Sequence, residues 1–353
     1  MRLALNLGYL VGADDPQDQL RLARHAEDLG FDSAWTAEAY GGDTPTLLAW
    51  LGGQTSRIGL GAAVMQIPAR TPAMTAMTAA SLDRLTDGRF RLGLGVSGPQ
   101  VSEGWHGVRF DAPLARTREY LGILELALER RTVEYHGKHF QLPLPDGPGK
   151  PLKLMIRPVS EHIPRYLAAI GPKNLELCGE LADGWLGIFF APGFAAEQLG
   201  HLAAGRARSG RSEAGRELDG FDVMATVPLV VDPDVERAAQ PIRAYAALYI
   251  GGMGSREQNF YNRLAVRMGY EAEAARIQEL YLTGRQRDAM GAVPLQFIDD
   301  TSLLGDVARL ADRLQALAEA GLTTCAVSPY GPVEAKLAAL TTIAEALDRS
   351  GVG

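Results

Sequence analysis

Short apolar segments alternate with amphipathic segments along the whole chain, and this alternation limits the possible folds more than any other feature. Strand-like apolar runs lie at 2–7, 33–37, 58–65, 90–96, 163–170, 184–190, 221–231 and 323–329. Most are apolar nearly throughout, as parallel strands buried on both faces are. The segments between them, such as "QDQLRLARHAEDLG", repeat apolar residues at helical spacing. Eight such repeats predict an α/β fold, a (β/α)8 TIM barrel with its active site at the strand carboxyl ends.

Two connections are longer than a simple barrel needs, near 97–162 and near 232–322. The first contains "YHGKHF", which is typical of a hairpin turn between two short strands. The second is expected to hold two or three helices, such as "PIRAYAALYI" and "EAARIQELYL". Because no linker marks a second domain, residues 1–353 are expected to form a single barrel domain. Its insertions at the strand carboxyl ends would shape a substrate pocket or an interface.

Charge and hydropathy argue against several classes of function. A net charge of −7 opposes nucleic-acid binding, since phosphate contacts normally require a basic surface. No apolar stretch approaches the roughly eighteen residues of a membrane helix. The start "MRLALNLGYLVGADD" is interrupted by Asn6 and Gly8, and it fits a first core strand better than a signal peptide. We expect a cytoplasmic protein that binds a small molecule, with neither nucleic acid nor membrane as a partner.

The cysteines and histidines form no metal-binding pattern. Cys178 and Cys325 lie in apolar runs without a C-x-x-C neighbour, which predicts core packing rather than a disulfide or a redox role. His136 and His139 are close together but fall in the predicted hairpin turn. No metal site is expected.

A glycine motif follows the fourth strand-like run. Gly93, Gly95 and Gly98 have the G-x-G-x-x-G spacing of a dinucleotide-binding turn, which requires a helix to open at the last glycine. Pro99 follows at once, and the first helix-like run begins only near Pro113. The glycines are therefore interpreted as the end of a strand and the start of a loop at the barrel rim, where backbone can approach a ligand closely.

The segment after the second strand, "TAEAYGGDT", places an acid at the barrel rim. Glu38 lies at the strand end, with Tyr40 and Asp43 just beyond it. A carboxylate there can accept a hydrogen bond from a ligand or move a proton. The alternative is a solvated rim acid.

After the third strand, "GAAVMQIPARTP" gives small residues and then Val64, Met65 and Gln66. This apolar edge would suit a flat ring. The alternative is ordinary core packing.

A possible phosphate site follows the fifth strand in "IGPKNLELCGELADGW". Gly171, Pro172, Lys173 and Asn174 join the strand directly to a helix, whose free amides and nearby lysine favour an anion. The alternative is a plain strand-to-helix loop with Asn174 as the helix cap.

Taken together, these segments resemble the bacterial luciferase-like superfamily, and within it the coenzyme F420-dependent oxidoreductases. The resemblance covers almost the whole chain, in the order "AEDLGFDSAW", "IGLGAAVMQIPARTPAMTAM", "DGRFRLGLGVSGPQVSEGWHG", "IPRYLAAIGPKNLELCGELADGW" and "AEAGLTTCAV". It implies a TIM barrel, commonly a homodimer, that holds a deazaflavin or flavin at the strand carboxyl ends. Such an enzyme transfers hydride to or from a small organic substrate.

The resemblance also implies site residues. A non-proline cis peptide bond is expected at Ala63–Val64, behind the ring system, and two loops are expected to hold phosphate. The implied cofactor-binding residues are Glu38, Ala63, Val64, Met65, Val96, Ser97, Gly98, Gly171, Pro172, Lys173 and Asn174.

The chain departs from the deazaflavin enzymes after the second strand, where Glu38-Ala39 replaces their frequent Asp-His pair. Glu38 would keep a hydrogen bond to the cofactor, but the usual histidine is missing. Tyr40 and His106 are its candidate substitutes, so the catalytic candidates are Glu38, Tyr40 and His106.

Three functions are weighed. The first is an F420-dependent oxidoreductase in which the protein fixes geometry and supplies a proton. The second is an FMN-dependent monooxygenase of the same superfamily. The third is a barrel that binds a small molecule without turnover, because a fold alone does not establish activity.

Overall fold

A closed barrel of parallel strands forms the centre of the molecule. The computed structural model describes residues 1–12 and 15–353, and in that part of the chain eight parallel strands close on themselves. The strands are β1 (Arg2–Tyr9), β2 (Ser33–Ala37), β3 (Gly59–Ala62), β4 (Phe90–Gly95), β5 (Arg165–Ala168), β6 (Gly184–Ile188), β7 (Asp222–Val231) and β8 (Thr324–Pro329). Each neighbouring pair is parallel, and Leu3 beside Cys325 closes the ring between β1 and β8. The predicted barrel is confirmed, and each predicted run overlaps one of these eight strands.

Helices cover the outside of the barrel. They are α1 (Pro16–Asp28), α2 (Thr44–Gly52), α3 (Pro72–Leu85), α4 (Pro113–Leu128), α5 (Pro172–Leu181), α6 (Ala195–Ser209), α7 (Val307–Glu319) and α8 (Val333–Ser350). Side-chain caps fix several of their starts. The side chains of Asp15, Asp43 and Thr71 accept hydrogen bonds from the first turns of α1, α2 and α3, and a proline occupies each of those turns.

Large aromatic side chains fill the barrel interior. Trp35 is fully buried, and its ring meets the Tyr166 ring edge-on with 5.0 Å between centroids. Gly61 makes room for this packing, since a Cβ at that position would lie 2.2 Å from the Trp35 ring. A larger apolar core fills the space between the strands and the surrounding helices.

The first insertion contains more helix than expected. A short helix, Pro99–Gly104, begins directly after Gly98, which is its N-cap. The prediction that no helix opens before Pro113 is therefore wrong. Six residues show too little periodicity to be recognised in sequence. The glycine motif still does not make a dinucleotide-binding fold, because the strands close a barrel.

The predicted hairpin is confirmed. The short strands Tyr135–His136 and Gln141–Leu142 pair antiparallel around the predicted turn. A second antiparallel pair, Thr132–Val133 with Leu152–Lys153, closes the base of this insertion.

The second insertion is a helical subassembly with its own apolar cluster. Ahead of α7 it holds the helices Val235–Ala247, Phe260–Arg267, Glu271–Leu282, Gln286–Gly291 and Leu295–Asp300, together with a π-helical turn, Leu248–Gly252. The expectation of two or three helices was too low, because the six- to eight-residue helices fall below the length at which periodicity is visible. A three-residue strand, Leu303–Gly305, pairs in parallel with the end of β7.

Both cysteines pack in the core, as predicted. Cys178 and Cys325 are fully buried, and burial raises the pKa of the Cys325 thiol to about 12. Within the described residues, the helices offer no segment with the length and apolar character needed to cross a membrane.

Candidate active site at the barrel mouth

Glu38 lies at the end of β2 and is buried, with 8% of its surface exposed. Its carboxylate accepts hydrogen bonds from the backbone amides of Thr44, at 3.2 Å, and Gln66, at 3.0 Å. It also accepts hydrogen bonds from both terminal nitrogens of the Arg70 guanidinium, one of them at 3.1 Å. Because four protein donors already occupy this carboxylate, the structure shows it holding neighbouring backbone segments together.

Arg70 extends this cluster towards solvent. Its guanidinium binds Glu38 and Asp43 together, with only 14% of its side chain exposed. Burial alone would lower the pKa of Arg70, but the two carboxylates outweigh burial and raise it. The sequence interpretation missed Arg70, although it is the one charged residue in "GAAVMQIPARTP".

Gln66 connects the ends of three neighbouring strands. Its side-chain amide donates to the carbonyl of Ala39 at 2.8 Å, after β2. Its side-chain oxygen accepts a hydrogen bond from the Ser97 hydroxyl at 2.7 Å, after β4. Ser97 has a left-handed backbone with φ 61°, which is uncommon for a residue other than glycine. This bridge therefore fixes the position of the Ser97 loop relative to β3.

The expected cis peptide bond at Ala63–Val64 is present. Both residues are half-buried at the mouth. Met65, in contrast, is completely buried, and Gln66 is only 4% exposed. The side chain of Met65 packs in the core, so the apolar edge available to a ring is narrower than the sequence suggested. It consists of Ala63 and Val64 and excludes the side chains of Met65 and Gln66.

The glycine motif acquires a packing explanation at the same place. A Cβ at Gly93 would lie 1.8 Å from the carbonyl oxygen of Ala62, and one at Gly95 would lie 2.7 Å from Val64. These two glycines let β4 approach the bulge after β3. A Cβ at Gly98 would meet no atom within 4 Å, so that glycine faces open space.

The second predicted phosphate loop lies beside the first. Strands β4 and β5 are neighbours, with Leu94 opposite Leu167, so their carboxyl ends bring the segment around Gly98 next to Gly171. Gly171 is the N-cap of α5 and supplies no side-chain cap, and Pro172 occupies the first turn as expected. A Cβ at Gly171, like one at Gly98, would meet no atom within 4 Å.

The polar side chains of this second loop have other partners in the structure. Lys173 is 78% exposed in its side chain and pairs with Glu176 at 3.1 Å. Asn174 donates to the carbonyl of Ala168 at 3.3 Å and does not cap the helix. Such an exposed ion pair is weak, typically between 0 and about 1 kcal/mol, so Lys173 can exchange Glu176 for another anion.

A second cation near this loop was missed by the sequence interpretation. Arg267, from the helical insertion, donates to the carbonyl of Ile170 at 2.8 Å and pairs with Glu197 at 2.9 Å. Its guanidinium also lies over the Phe194 ring, 5.8 Å from the centroid. No local sequence pattern connects an insertion helix with this loop.

Neither of the two candidate proton donors is among the hydrogen-bond partners of Glu38. Tyr40 is 70% exposed and forms no hydrogen bond with any described residue. His106 is half-buried, and its Nε2 atom is shielded from solvent without a hydrogen-bond partner in the described chain. The structure joins neither side chain to Glu38 by a hydrogen bond.

Tyrosines from distant parts of the chain gather across the mouth from these loops. Tyr9 ends β1, Tyr330 follows β8, and Tyr245, Tyr249 and Tyr261 come from the helical insertion. The sequence interpretation singled out none of them.

Comparison with known proteins gives consistent relatives. Residues 3–324 match the family described as luciferase-like monooxygenase. A Mycobacterium tuberculosis (strain H37Rv) protein named as a coenzyme F420-dependent oxidoreductase is 43% identical over 333 residues, which cover 93% of this chain and 95% of that protein. The 5,10-methylenetetrahydromethanopterin reductase of Archaeoglobus fulgidus is 30% identical, covering 88% of this chain and 89% of that enzyme.

A solved structure extends the similarity to the whole fold. The coenzyme F420-dependent tetrahydromethanopterin reductase of Methanopyrus kandleri superposes with a TM-score of 0.80 at 26% sequence identity. The match covers 97% of each chain, including both insertions of the present protein.

Proposed function

The chain belongs to the luciferase-like monooxygenase family, and from that premise we propose that it is a coenzyme F420-dependent oxidoreductase acting on a small organic substrate. One observation carries the proposal. Relatives named for F420 chemistry align with this chain over about nine-tenths of its length, at 43% and 30% identity. Alignments of that extent cover most of the chain.

The residues at the mouth fit such a cofactor. The half-buried pair Ala63–Val64 offers an apolar edge for a flat ring. Two neighbouring loops, at Val96–Gly98 and Gly171–Asn174, offer backbone groups beside open space for a phosphate. Lys173 and Arg267 supply positive charge near the second loop. When bound, F420 supplies hydride chemistry, and the chain supplies orientation and a proton.

The Glu38 cluster positions the ring edge. Glu38 fixes the amide of Gln66, and Gln66 in turn fixes the hydroxyl of Ser97. A rigid mouth holds reacting groups in a productive geometry, which is a major source of rate enhancement. Tyr40 and His106 remain the candidate proton donors on this side of the mouth.

The proposal is tested by titration with each cofactor. Purified protein should bind F420 more tightly than FMN, as followed by quenching of tryptophan fluorescence. Reduced F420 bound to the protein should be consumed under air only when an acceptor substrate is added. Tighter FMN binding with oxygen uptake would indicate a monooxygenase instead. Stoichiometric binding without turnover across a substrate panel would favour a non-catalytic barrel.

We also propose that the protein is a cytoplasmic homodimer. An apolar groove of about 770 Å³ lies between α3 and the first insertion, and it includes the exposed residues Met77, Leu152 and Met155. Exposed apolar surface of this kind is typical of an interface between proteins. A second copy of the chain would cover it through a two-fold contact.

The double variant Met77→Glu, Met155→Glu should shift the mass in solution from dimer to monomer, measured by light scattering after size exclusion. Leu282→Glu is the matched control, because Leu282 is exposed on the other insertion. A wild-type protein that runs as a monomer would contradict the dimer.

A further inference from the structure

The tyrosine cluster, defined as Tyr9, Tyr245, Tyr249, Tyr261 and Tyr330, lines the mouth opposite the loops assigned to the cofactor. Around the barrel, the cofactor residues follow β2 to β5, whereas the cluster follows β1, β7 and β8. Because eight strands close the described barrel, these two sets face one another across the same opening. A ligand resting on the ring edge would have the cluster as its opposite wall.

The aromatic rings of the cluster pack into one surface. The Tyr245 and Tyr249 rings lie 4.6 Å apart between centroids, and the Tyr249 and Tyr261 rings lie 4.7 Å apart. Phe189, directly after β6, packs against this surface, with its ring centroid 5.5 Å from that of Tyr245. Phe189 has φ 51°, an uncommon backbone for a large side chain, and such conformations concentrate at functional sites.

The turn that carries Tyr249 is held by specific contacts. It is a π-helical turn, a feature often found at functional sites. The side chain of Asn259 donates to the carbonyls of Tyr249 and Ile250 at 3.0 Å each. A Cβ at Gly252 would lie 2.3 Å from the Tyr281 ring, so glycine is required there. The tyrosines are therefore presented by a rigid turn.

The hydroxyl groups of the cluster have donor capacity to spare. With the described residues, Tyr245, Tyr261 and Tyr330 make no hydrogen bond through their hydroxyls. Burial raises the pKa of all three, and neighbouring phenols raise that of Tyr245 and Tyr261 further. The surroundings of Tyr245 and Tyr261 thus favour neutral phenols, which remain hydrogen-bond donors at neutral pH.

We propose that the tyrosine cluster binds the carbonyl oxygen of a neutral, flat substrate. The aromatic wall matches a flat ligand, and uncharged phenol donors match an uncharged acceptor oxygen. Among the described residues, no charged side chain is hydrogen-bonded to the hydroxyl of Tyr245 or Tyr261, so an uncharged acceptor suits these phenols better than a charged one. The inference rests on the proposed function, because it names the class of substrate for the same mouth.

The test compares two probes that differ in their oxygens. Equilibrium dialysis measures the binding of 2-methyl-1,4-naphthoquinone and of 2-methylnaphthalene, with and without saturating oxidised F420. The wild-type protein should prefer the quinone. Tyr245→Phe and Tyr261→Phe should each weaken quinone binding about three- to tenfold, the effect of losing one hydrogen bond, and leave hydrocarbon binding unchanged.

Tyr270→Phe is the matched control, because the Tyr270 hydroxyl already bonds Asp300 at 3.3 Å within the insertion. It should leave both affinities unchanged. Equal loss of quinone and hydrocarbon binding in the cluster variants, or no quinone preference in the wild type, would overturn the proposal. F420 affinity is titrated separately for each variant. If the wild-type protein fails to bind F420, the proposed function is contradicted. The preference for the quinone over the hydrocarbon, measured without F420, still decides the role of the cluster.

Discussion

The two halves of the barrel mouth differ in how they use their polar side chains. Beside β2 and β3, the Glu38 carboxylate is fully hydrogen-bonded to protein groups, whereas the tyrosine cluster lines the mouth beside β1 and β8. Glu38 receives four donors, from Thr44, Gln66 and Arg70. The hydroxyls of Tyr245 and Tyr330 have no partner among the described residues. The first half uses its polar groups to fix backbone geometry, and the second leaves the hydroxyls of Tyr245, Tyr261 and Tyr330 without a protein partner in the described chain.

The most severe disruption of the first half is Glu38→Ala. It leaves Arg70 buried without its main counter-charge and two amides without an acceptor. Removing one partner of a buried pair typically costs about 3–5 kcal/mol, and we expect a loss of about 3 kcal/mol because Asp43 remains. Urea unfolding measures this loss of stability. F420 titration should show weaker binding, or a rate assay should show lower turnover.

His136→Ala is the matched control for Glu38→Ala. His136 lies in the exposed hairpin, where its imidazole pairs with Glu134 at 3.3 Å. It should change neither stability nor F420 binding. Equal losses from both variants would mean that the site is placed wrongly.

Gly95→Ala disturbs the same half by volume instead of charge. Its Cβ would lie 2.7 Å from Val64, so the ring edge must shift. Overpacking of this kind costs about 1–3 kcal/mol. Thermal unfolding and F420 affinity should both be lowered. Gly98→Ala, which faces open space, should keep wild-type stability, and a loss as large as that of Gly95→Ala would refute the packing explanation.

Lys173→Ala tests a flexible charge next to this rigid half. We expect F420 binding to weaken about tenfold, as for loss of one charged hydrogen bond. Folding stability should change by less than about 0.5 kcal/mol, because the Lys173–Glu176 pair is largely exposed on the lysine side. Fluorescence quenching measures the affinity. An unchanged dissociation constant would count against the phosphate assignment.

The second half is tested by raising the pH. The folded chain holds the pKa of Tyr245 and Tyr261 above the ordinary value of 10.0, so the unfolded chain loses these protons first. Their stabilisation is fully present below about pH 10 and is lost as the pH rises towards the folded-state pKa. Between about pH 8 and about pH 11, the free energy of unfolding should fall by about 1 kcal/mol for each phenol.

The double variant Tyr245→Phe, Tyr261→Phe is the comparison for this pH dependence. It lacks both phenols, so its free energy of unfolding should fall less over the same interval in urea unfolding. A fall as large as that of the wild type would show that these phenols ionise alike in the folded and unfolded chains.

The barrel and the position of the mouth were predictable from the sequence. Strand and helix periodicity is local, so runs such as 33–37 and 184–190 identify β2 and β6 directly. The order of the strands then brings their carboxyl ends together. The family resemblance added the cis peptide bond at Ala63–Val64, which is present. The roles of the predicted site residues remain predictions.

The periodicity of the sequence does not determine which side chains contact one another at the barrel mouth. Glu38 and Arg70 are 32 positions apart, and Tyr9 approaches Tyr249 from the other end of the chain. Met65 was predicted at a ring edge, but tertiary packing buries it completely. By itself the sequence determined the barrel, its eight strand-like runs and the glycine-rich loops, because each depends on neighbouring residues. Only the tertiary structure decided that Glu38 is saturated and that the hydroxyls of Tyr245, Tyr261 and Tyr330 have no hydrogen-bond partner among the described residues, because hydrogen bonding depends on contacts between distant parts of the chain.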